Sequence, residues 1–435
     1  MRIIFLFVVF FCNLLVYAQF KVIFSSRTFH PNSETDTLNT LKAIEDFEIE
    51  QLDWMYCDSK IKLNKLTEKN IPFSLAINPM IPDSSGYCTA KFRVLDIEGK
   101  PIVAPWMKNW SNKNLFWGCA NNKDFYELFL SKCKKYADLK CYGIFVDDAK
   151  MNFQFADKNG CFCDKCLEEF SSYLLNKKSI DNKFNYKEYI LNTKRDTFFD
   201  KKYSLEFQQF QKKSVIDFHL KWMDELKKYT NNKIKFVTNN YGGNWGEIYS
   251  LFDIGLAEIN EKNNSLEIIE KISDKLKINK KEQYLSFAST NSYDNFKFIL
   301  HSYFNNIVCI LPWDHVLNES FGDNKIKRYY ANIEEIKPIF DFLKNSNLKE
   351  CDTLILKDQL KRIKYKETIK YIKLFEDSEN YYLSLYNDLN NDKKIKLKVL
   401  NHKLKYSLIL SDVFKTKLIS KKKISGTIIL LKFQK

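Results

Sequence analysis

The segment YGIFVDDAK, residues 142 to 150, contains the pattern that decides the fold of this chain. A short run of small and apolar residues ends there in two adjacent carboxylates, Asp147 and Asp148. A short segment that is apolar at nearly every position is typical of a strand buried on both faces, as in a parallel sheet. The segment therefore predicts a buried strand that carries acidic side chains at its carboxyl end.

Seven other segments have the same character. They are KVIFSS (21–26), IEQLDWMYC (49–57), IPFSLAINP (71–79), IKFVTNN (234–240), FDIGLAEIN (252–260), QYLSFAST (283–290) and IVCILPWD (307–314). Stretches with apolar residues at helical spacing, such as DFYELFLSKCKKYADL, lie between them. Because parallel strands need crossover connections, eight strands that alternate with helices predict a closed (β/α)8 barrel.

The pattern changes towards the C-terminus. Short alternating segments follow one another there, joined by Asn, Asp and Lys turns, namely CDTLILKDQ, YYLSLYND, KIKLKVL, YSLILSD and GTIILLKF. Alternation over a few residues is typical of antiparallel strands. We therefore predict a barrel domain over residues 19–345 and a small antiparallel β-sandwich domain over residues 346–435.

The first 18 residues have the pattern of a secretory signal peptide. Arg2 precedes a long apolar run that ends at Val16-Tyr17-Ala18, where the small Ala18 suits cleavage. The mature chain would then begin near Gln19 and be secreted or periplasmic. No later segment holds the ~18 consecutive apolar residues that a spanning helix needs, so no membrane span is expected.

The formal net charge of the chain is +15 at pH 7. The lysines are scattered along the whole chain and form no compact Arg-rich stripe, which argues against a nucleic-acid partner. We interpret the charge as solvated surface, with binding of an anionic polysaccharide as the alternative. The chain has 11 Gly and no Gly-rich phosphate loop, so no organic cofactor is expected.

Acidic side chains end two of the predicted strands, with Asp147 and Asp148 on the fourth and Glu258 on the sixth. Loops after the carboxyl ends of barrel strands build the active site, so these acids are the catalytic candidates. Adjacent strand residues point to opposite faces, so one of the two aspartates would enter the barrel mouth while the other supports it. The alternatives are a helix cap or a salt bridge to Lys150 for the aspartates, and a lysine ion pair for Glu258.

A pair made of one aspartate and Glu258 has the chemistry that cleaves a glycosidic bond. One acid must be ionised and the other protonated. Sugar hydroxyls would be bound by polar residues near the strand ends, namely Arg27, His30, Asn78, Asn239 and Asp314. Sugar faces would stack on tryptophans, for which the candidates are Trp106, Trp110, Trp117, Trp245 and Trp313, although each of these could equally be a core residue.

Three cysteines lie close together in CFCDKC, at positions 161, 163 and 166. Residues two apart rarely reach disulfide geometry, whereas three thiolates from one loop suit a tetrahedral zinc site. Cys119, in the long loop after the third strand, would be the fourth ligand beside Cys161, Cys163 and Cys166. A closed four-sulfur site is structural, and here it would join the loops after strands three and four. Disulfides in an oxidising compartment are the alternative.

These cysteines after the acid-ended strand resemble the zinc-bearing barrel of glycoside hydrolase family 42, the β-galactosidases. The likeness extends to the Thr238-Asn239 pair of FVTNNY and covers roughly residues 20 to 320. It implies a glycoside hydrolase with structural zinc. The family's strand-four Asn-Glu is Asp147-Asp148 here, and the seventh strand ends without an acid, so the catalytic glutamates of the family cannot be carried over.

The segment GIFVDDAK also resembles the fourth strand of α-amylase-type barrels, and this likeness implies that Asp147 is the nucleophile. The arginine that precedes that nucleophile by two residues is Phe145 here. We therefore expect a secreted glycoside hydrolase acting on an oligo- or polysaccharide. The alternatives are a polysaccharide lyase on uronic acids, which Arg27 and His30 favour, and a non-catalytic glycan-binding barrel.

Overall fold

The structure is a computed structural model of the 435-residue chain. It describes residues 21–25, 41, 44–45, 47–80, 92–103, 116–155, 160–180, 182–193, 202–259, 266–287, 292–312, 340–344, 348–361, 363–365, 369–389, 393, 395–400, 406–410, 423–426 and 428–435. Some of the predicted features lie outside these residues, namely the signal peptide, Arg27, His30, Trp106, Trp110, Trp313 and Asp314.

Eight parallel strands form a closed barrel, which confirms the predicted fold class. The strands are β1 (Ile23–Ser25), β2 (Gln51–Met55), β3 (Phe73–Ile77), β4 (Gly143–Val146), β5 (Lys235–Asn239), β6 (Ile254–Ile259), β7 (Glu282–Phe287) and β8 (Val308–Pro312). Strand β1 pairs with both β2 and β8, and this second pairing closes the sheet. Each of the eight strands lies within or overlaps one of the eight predicted segments.

The barrel interior is packed with alternate residues of the strands, among them Ile23, Ala76, Phe145, Val237, Leu256 and Ile310. Asp147, Asn239 and Glu258 each follow one of these residues by two positions on its own chain segment. Because strand side chains alternate between the two faces, these three polar side chains continue the inner face at the carboxyl ends of the strands. The topology alone thus brings β4, β5 and β6 together at the barrel mouth.

Helices cover the outside of the barrel and contribute the second layer of its core. They are α1 (Lys60–Glu68), α2 (Lys123–Asp138), α3 (Asp164–Asn176), α4 (Tyr186–Asn192), α5 (Ser204–Tyr229), α6 (Glu267–Asn279) and α7 (Ser292–Phe304). The long helix α5 buries Phe218 against α2 and Trp222 against Phe236 of β5, and its buried face also carries Gln211 and His219. These two polar side chains contact the segment after β4, as described below.

Two antiparallel sheets follow the barrel in sequence, which confirms a separate C-terminal β region. One sheet has the strands β10 (Ile363–Tyr365), β13 (Ile395–Val399) and β15 (Lys423–Gly426). The other, in spatial order, has β14 (Tyr406–Leu410), β16 (Ile428–Gln434), β12 (Asn380–Tyr386), β11 (Tyr371–Glu376) and β9 (Lys349–Glu350). The predicted domain boundary at residues 345 and 346 falls in a part that the structure does not describe, and it stays a prediction.

The prediction of a strand in CDTLILKDQ is wrong, because Thr353–Leu360 form helix α8. The Asp352 carboxylate accepts hydrogen bonds from the backbone N–H groups of Leu354 and Ile355, at 2.8 and 2.9 Å. Such a cap satisfies N–H groups that a helix start leaves free. Leu354 is 76% exposed, so the apolar run is not the buried face of a strand.

Aromatic contacts join the C-terminal sheets to the outer helices of the barrel. Phe304 of α7 stacks on Phe375 of β11 with ring centroids 4.1 Å apart. His301 Nδ1 lies 2.6 Å from the Tyr386 hydroxyl. Within the part of the chain that the structure describes, none of the helices combines the length and the apolar character of a membrane span.

Candidate functional site

Asp147 and Glu258 meet at the barrel mouth through one amide group. Asn239 Nδ2 donates to Glu258 Oε2 at 3.0 Å and to Asp147 Oδ1 at 3.4 Å. Since both oxygens lie this close to one nitrogen, they are at most about 6.4 Å apart. The two acids that the sequence predicted as a pair are therefore brought together, and the predicted sugar-binding residue Asn239 joins them.

Strand β2 supplies two further donors to Asp147. The Tyr56 hydroxyl donates to Oδ2 at 2.7 Å, and Trp54 Nε1 donates to the same oxygen at 3.3 Å. The pairing of β2 with β3 shifts between Leu52 and Met55, and Trp54 has a positive φ of 57°. Such irregularities re-aim side chains, and here the indole of Trp54 reaches the acid on β4.

The hydrogen-bond donors around Asp147 suit the ionised form of its carboxyl group. The Trp54 indole and the Asn239 amide nitrogen can only donate, so both favour the ionised acid. Burial raises the pKa of the Asp147 carboxyl, and the hydrogen bonds from Tyr56, Trp54 and Asn239 oppose that rise. The protein thus holds a half-buried, hydrogen-bonded acid at the position where a charged group would face a substrate.

Asp148 has a different partner from Asp147. Its φ of 54° lies in the left-handed region, and its buried carboxylate accepts a hydrogen bond from the Tyr241 hydroxyl. The Lys150 ammonium lies over the rings of Tyr241 and Tyr249, 5.8 and 5.9 Å from their centroids. The Asp148 carboxylate thus holds the Tyr241 hydroxyl at the edge of the mouth.

Two partly exposed tyrosines flank the aspartates, beside Trp54. Tyr56 is 40% and Tyr241 is 38% exposed, and each hydrogen-bonds one of the two aspartates. Trp117, a predicted stacking candidate, is fully buried in the core, and Trp245 is only partly accessible. Sequence reasoning missed Tyr241, although its position directly after the polar end of β5 was a usable signal.

Asn78, predicted to bind sugar hydroxyls, follows β3 and supports the mouth indirectly. Its Oδ1 accepts the backbone N–H of Met80 at 3.0 Å, and its side chain hydrogen-bonds Tyr56. Asn78 therefore orients the tyrosine that donates to Asp147.

The four cysteines predicted as a metal site are gathered in one buried cluster. All four sulfurs lie within 4.8 Å of one another. Cys119 Sγ is 3.5 Å from Cys166, 3.8 Å from Cys163 and 3.8 Å from Cys161. Disulfide sulfurs lie at about 2.05 Å, whereas four sulfurs about 2.3 Å from a central tetrahedral metal lie about 3.8 Å apart. The spacing thus fits a shared metal ion and not disulfides.

Three of the sulfurs also accept hydrogen bonds from N–H donors. Asn121 Nδ2 lies 3.2 Å from Cys166 Sγ, Asn152 Nδ2 3.3 Å from Cys119 Sγ, and the Leu95 N–H 3.4 Å from Cys161 Sγ. Donors at a sulfur favour the thiolate form, which is the form that binds metals.

The electrostatics of the cluster point to a cation. Burial raises the pKa of Cys161 and of Cys166 well above that of a free thiol, whereas hydrogen bonds from the neighbouring thiols lower the pKa of Cys163. Four thiolates in a closed, buried space repel one another, so a bound cation is what would keep them all ionised. The donor set therefore fits a metal with a preference for sulfur.

The other described cysteines behave as small hydrophobic residues. Cys57, Cys133, Cys141 and Cys309 are buried, and none of them forms a disulfide. Burial raises the pKa of Cys141 and of Cys309 to about 12, so these thiols stay neutral. Cys351 is half-buried in the C-terminal region.

No family model matches this chain, and no curated protein matches it. Among solved structures, it is similar to a β-galactosidase from Rahnella sp. R3, with 10% sequence identity and a TM-score of 0.47. That match covers 76% of this chain and 56% of the β-galactosidase, so the chain spans little more than half of that enzyme.

Two longer matches have similar scores. Amy13B of Eubacterium rectale has 6% identity and a TM-score of 0.47, with 97% of this chain and 96% of that protein covered. A debranching enzyme of Nostoc punctiforme has 10% identity and a TM-score of 0.45, with 97% and 99% covered. At such identities the likeness to family 42 stays a prediction, and the function has to be argued from the site.

Proposed function

We propose that this chain is a glycoside hydrolase whose active site is the mouth of the barrel, with Asp147 as nucleophile and Glu258 as general acid. The observation that supports it most directly is the shared amide of Asn239, which donates to both carboxylates. Two acids from the strands on either side of β5, both in contact with Asn239 at the barrel mouth, can act on the two atoms of a single glycosidic bond.

The anomeric outcome depends on the separation of the two carboxyl groups. Carboxyl groups about 5–5.5 Å apart suit a covalent intermediate, whereas inversion needs about 6.5–9.5 Å to admit a water molecule. Asn239 limits one oxygen of each acid to about 6.4 Å apart, a bound that both arrangements meet, and we propose the retaining course because the donors around Asp147 favour its ionised, nucleophilic form.

In this mechanism the carboxylate of Asp147 attacks the anomeric carbon while Glu258 gives its proton to the departing glycosidic oxygen. The resulting glycosyl ester is then hydrolysed by a water molecule, whose proton returns to Glu258. The hydrogen bonds from Tyr56, Trp54 and Asn239 favour the ionised form of Asp147, against the effect of burial, and orient its carboxylate. Asp148 supports the site through Tyr241 or serves as an alternative acid.

The substrate would be an oligo- or polysaccharide, and the product would be sugar with a new reducing end. The partly exposed rings of Tyr56 and Tyr241 offer apolar faces on which a pyranose can stack. The N-terminal signal pattern supports a secreted or periplasmic enzyme, where such polymers are met.

The four-cysteine cluster would hold structural zinc. Tetrahedral coordination by four thiolates is a closed arrangement, which leaves no position for a substrate. Bound there, the ion would supply positive charge and fix Cys119, Cys161, Cys163 and Cys166 relative to one another, and it would take no part in the reaction.

The experiment is a panel digest of neutral, amino and uronic-acid polysaccharides with product analysis. We expect new reducing ends with the wild type and none with Asp147→Asn. An unsaturated product that absorbs in the ultraviolet would instead indicate a lyase. Binding without turnover, with equal affinity in wild type and Asp147→Asn, would indicate a glycan-binding barrel and overturn the proposal.

A further inference from the structure

Asn152 joins three separate parts of the molecule. It is fully buried on the short 3₁₀ turn Met151–Phe155, five residues after Asp147. Its Oδ1 accepts the Ala120 N–H at 2.9 Å, and its Nδ2 donates to Gln211 Oε1 at 3.1 Å and to Cys119 Sγ at 3.3 Å. One amide therefore links the turn after β4 to the long loop after β3, to helix α5 and to the cysteine cluster.

The segment between Asp147 and Asn152 needs such external support. Asp148 and Met151 have φ values of 54° and 45°, in a region that side-chain-bearing residues seldom adopt. Each such residue costs of order 1–3 kcal/mol and persists only where the surroundings impose it. The backbone that follows Asp147 is thus kept in this conformation by contacts with neighbouring residues and not by its intrinsic conformational preference.

One of these neighbours is His219 of α5. Its Nδ1 accepts a hydrogen bond from the Trp222 indole N–H at 3.0 Å, so the ring proton lies on Nε2 and points to the Ala149 carbonyl oxygen 2.8 Å away. Burial lowers the pKa of His219 to about 4, so this donor stays neutral near pH 7. This anchor does not involve the sulfurs.

The second anchor of the turn is Asn152, and it does involve the cluster sulfurs. Asn152 donates to the sulfur of Cys119, and the position of that sulfur depends on what holds the four cysteines together. Residues that hydrogen-bond a metal ligand are oriented by it and orient it in turn. A closed cluster would therefore fix Asn152, and through it the turn that begins at Asp147.

We propose that Asn152 is a positioning residue that couples the four-cysteine cluster to the catalytic turn, residues 147–155. The kinetic part of this inference rests on the proposed glycoside hydrolase function, whereas its structural part does not. Loss of the metal would loosen the turn that begins at Asp147 although the ion lies outside the mouth.

The chain offers a matched control in Asn121. Its side chain also donates to a cluster sulfur, Cys166, at 3.2 Å, but it is not part of the turn that carries the acids. Asn121→Ala removes one N–H···S hydrogen bond, whereas Asn152→Ala removes the one to Cys119 and a longer one to Cys166, at 3.8 Å. Only the second removes a contact to the catalytic turn.

The test combines metal analysis, cobalt spectra, hydrogen exchange and kinetics. We expect both variants to retain about one equivalent of metal and to shift the sulfur-to-metal absorption bands after loading with Co²⁺. Only Asn152→Ala should speed amide exchange over residues 147–155 and lower kcat by about 10–100-fold with little change in KM. Equal exchange and equal kcat in the two variants would overturn the coupling.

Wild-type protein stripped with a chelator and reloaded with Zn²⁺ gives a second measurement that depends on no variant. We expect faster exchange over residues 147–155 after stripping and recovery on reloading, while β5 stays protected. Unchanged exchange in that segment contradicts the inference. If exchange responds but no polysaccharide is hydrolysed, the proposed function fails and the coupling stands.

Discussion

The cysteine cluster and the barrel mouth differ in construction, although Cys161 of the cluster follows Asp147 of the mouth by only fourteen residues. The four sulfurs are closed off from solvent, and three of them accept N–H donors. The mouth has a half-buried Asp147 and an exposed Glu258 beside partly exposed tyrosines. The buried cluster, whose sulfurs have hydrogen-bond partners, is suited to holding loops rigidly. The mouth, whose acids are accessible and receive hydrogen bonds, is suited to reacting with a substrate.

The largest expected loss of activity comes from replacing the acids of the mouth, and it should distinguish the role of Asp147 from that of Glu258. Asp147→Asn should lower kcat/KM by about 10⁴-fold or more on every substrate, because it removes the proposed nucleophile. Glu258→Gln should be as severe on a poor leaving group and much milder on an activated aryl glycoside, which departs without a proton. Steady-state kinetics on both substrate types check this.

Metal content and the thermal midpoint serve as controls for these two variants, and both should match the wild type. A uniform loss in Glu258→Gln and a leaving-group-dependent loss in Asp147→Asn would exchange the two roles. Loss of metal in either variant would show that the mouth and the cluster are not independent.

The next effect concerns the cluster and is mainly one of stability. Cys163→Ser should lose the metal and lower the thermal midpoint by roughly 10 °C, because a buried four-sulfur site without its ion leaves thiols that repel or lack partners. Cys57→Ser is the matched control, since Cys57 is also buried but lies outside the cluster. Metal analysis and thermal unfolding measure both variants.

Retention of about one metal equivalent in Cys163→Ser would contradict the four-sulfur assignment. A midpoint that falls equally in Cys57→Ser would show that the effect is one of packing. An intact disulfide in mass spectra of the unreduced protein would restore the disulfide alternative.

The sequence predicts the barrel well because its signals are local. Each strand is a short apolar run, and the alternation of side chains then places Asp147, Asn239 and Glu258 on one inner face without further information. The cysteine cluster is predictable for the same reason, since three of its sulfurs lie within six residues and Cys119 follows the adjacent strand.

The parts that sequence reasoning missed depend on long-range geometry or on capping. The irregular pairing of β2 turns Trp54 and Tyr56 towards Asp147, and no local sequence pattern predicts that irregularity. The apolar run after Asp352 has the pattern of a strand, but it forms a helix whose N-terminus is capped by the Asp352 side chain. The mouth also draws on Tyr241, whose role depends on the left-handed turn at Asp148.

The smallest effect concerns the donor that β2 directs at Asp147. Tyr56→Phe removes a hydrogen bond to the ionised acid, so the pKa of Asp147, already raised by burial, should rise by about one further unit. The acidic limb of the kcat/KM profile should move to higher pH by the same amount, because the nucleophile acts only when ionised. Activity above that limb should change by less than about tenfold.

Tyr241→Phe sharpens the same point, since Tyr241 donates to Asp148 and not to Asp147. Its acidic limb should move less than that of Tyr56→Phe, and metal content should stay the same in both variants. An acidic limb that stays in place in Tyr56→Phe while the basic limb moves would mean that Asp147 must be protonated to act. Asp147 would then be the proton donor of the pair, and Glu258 the group that attacks the sugar.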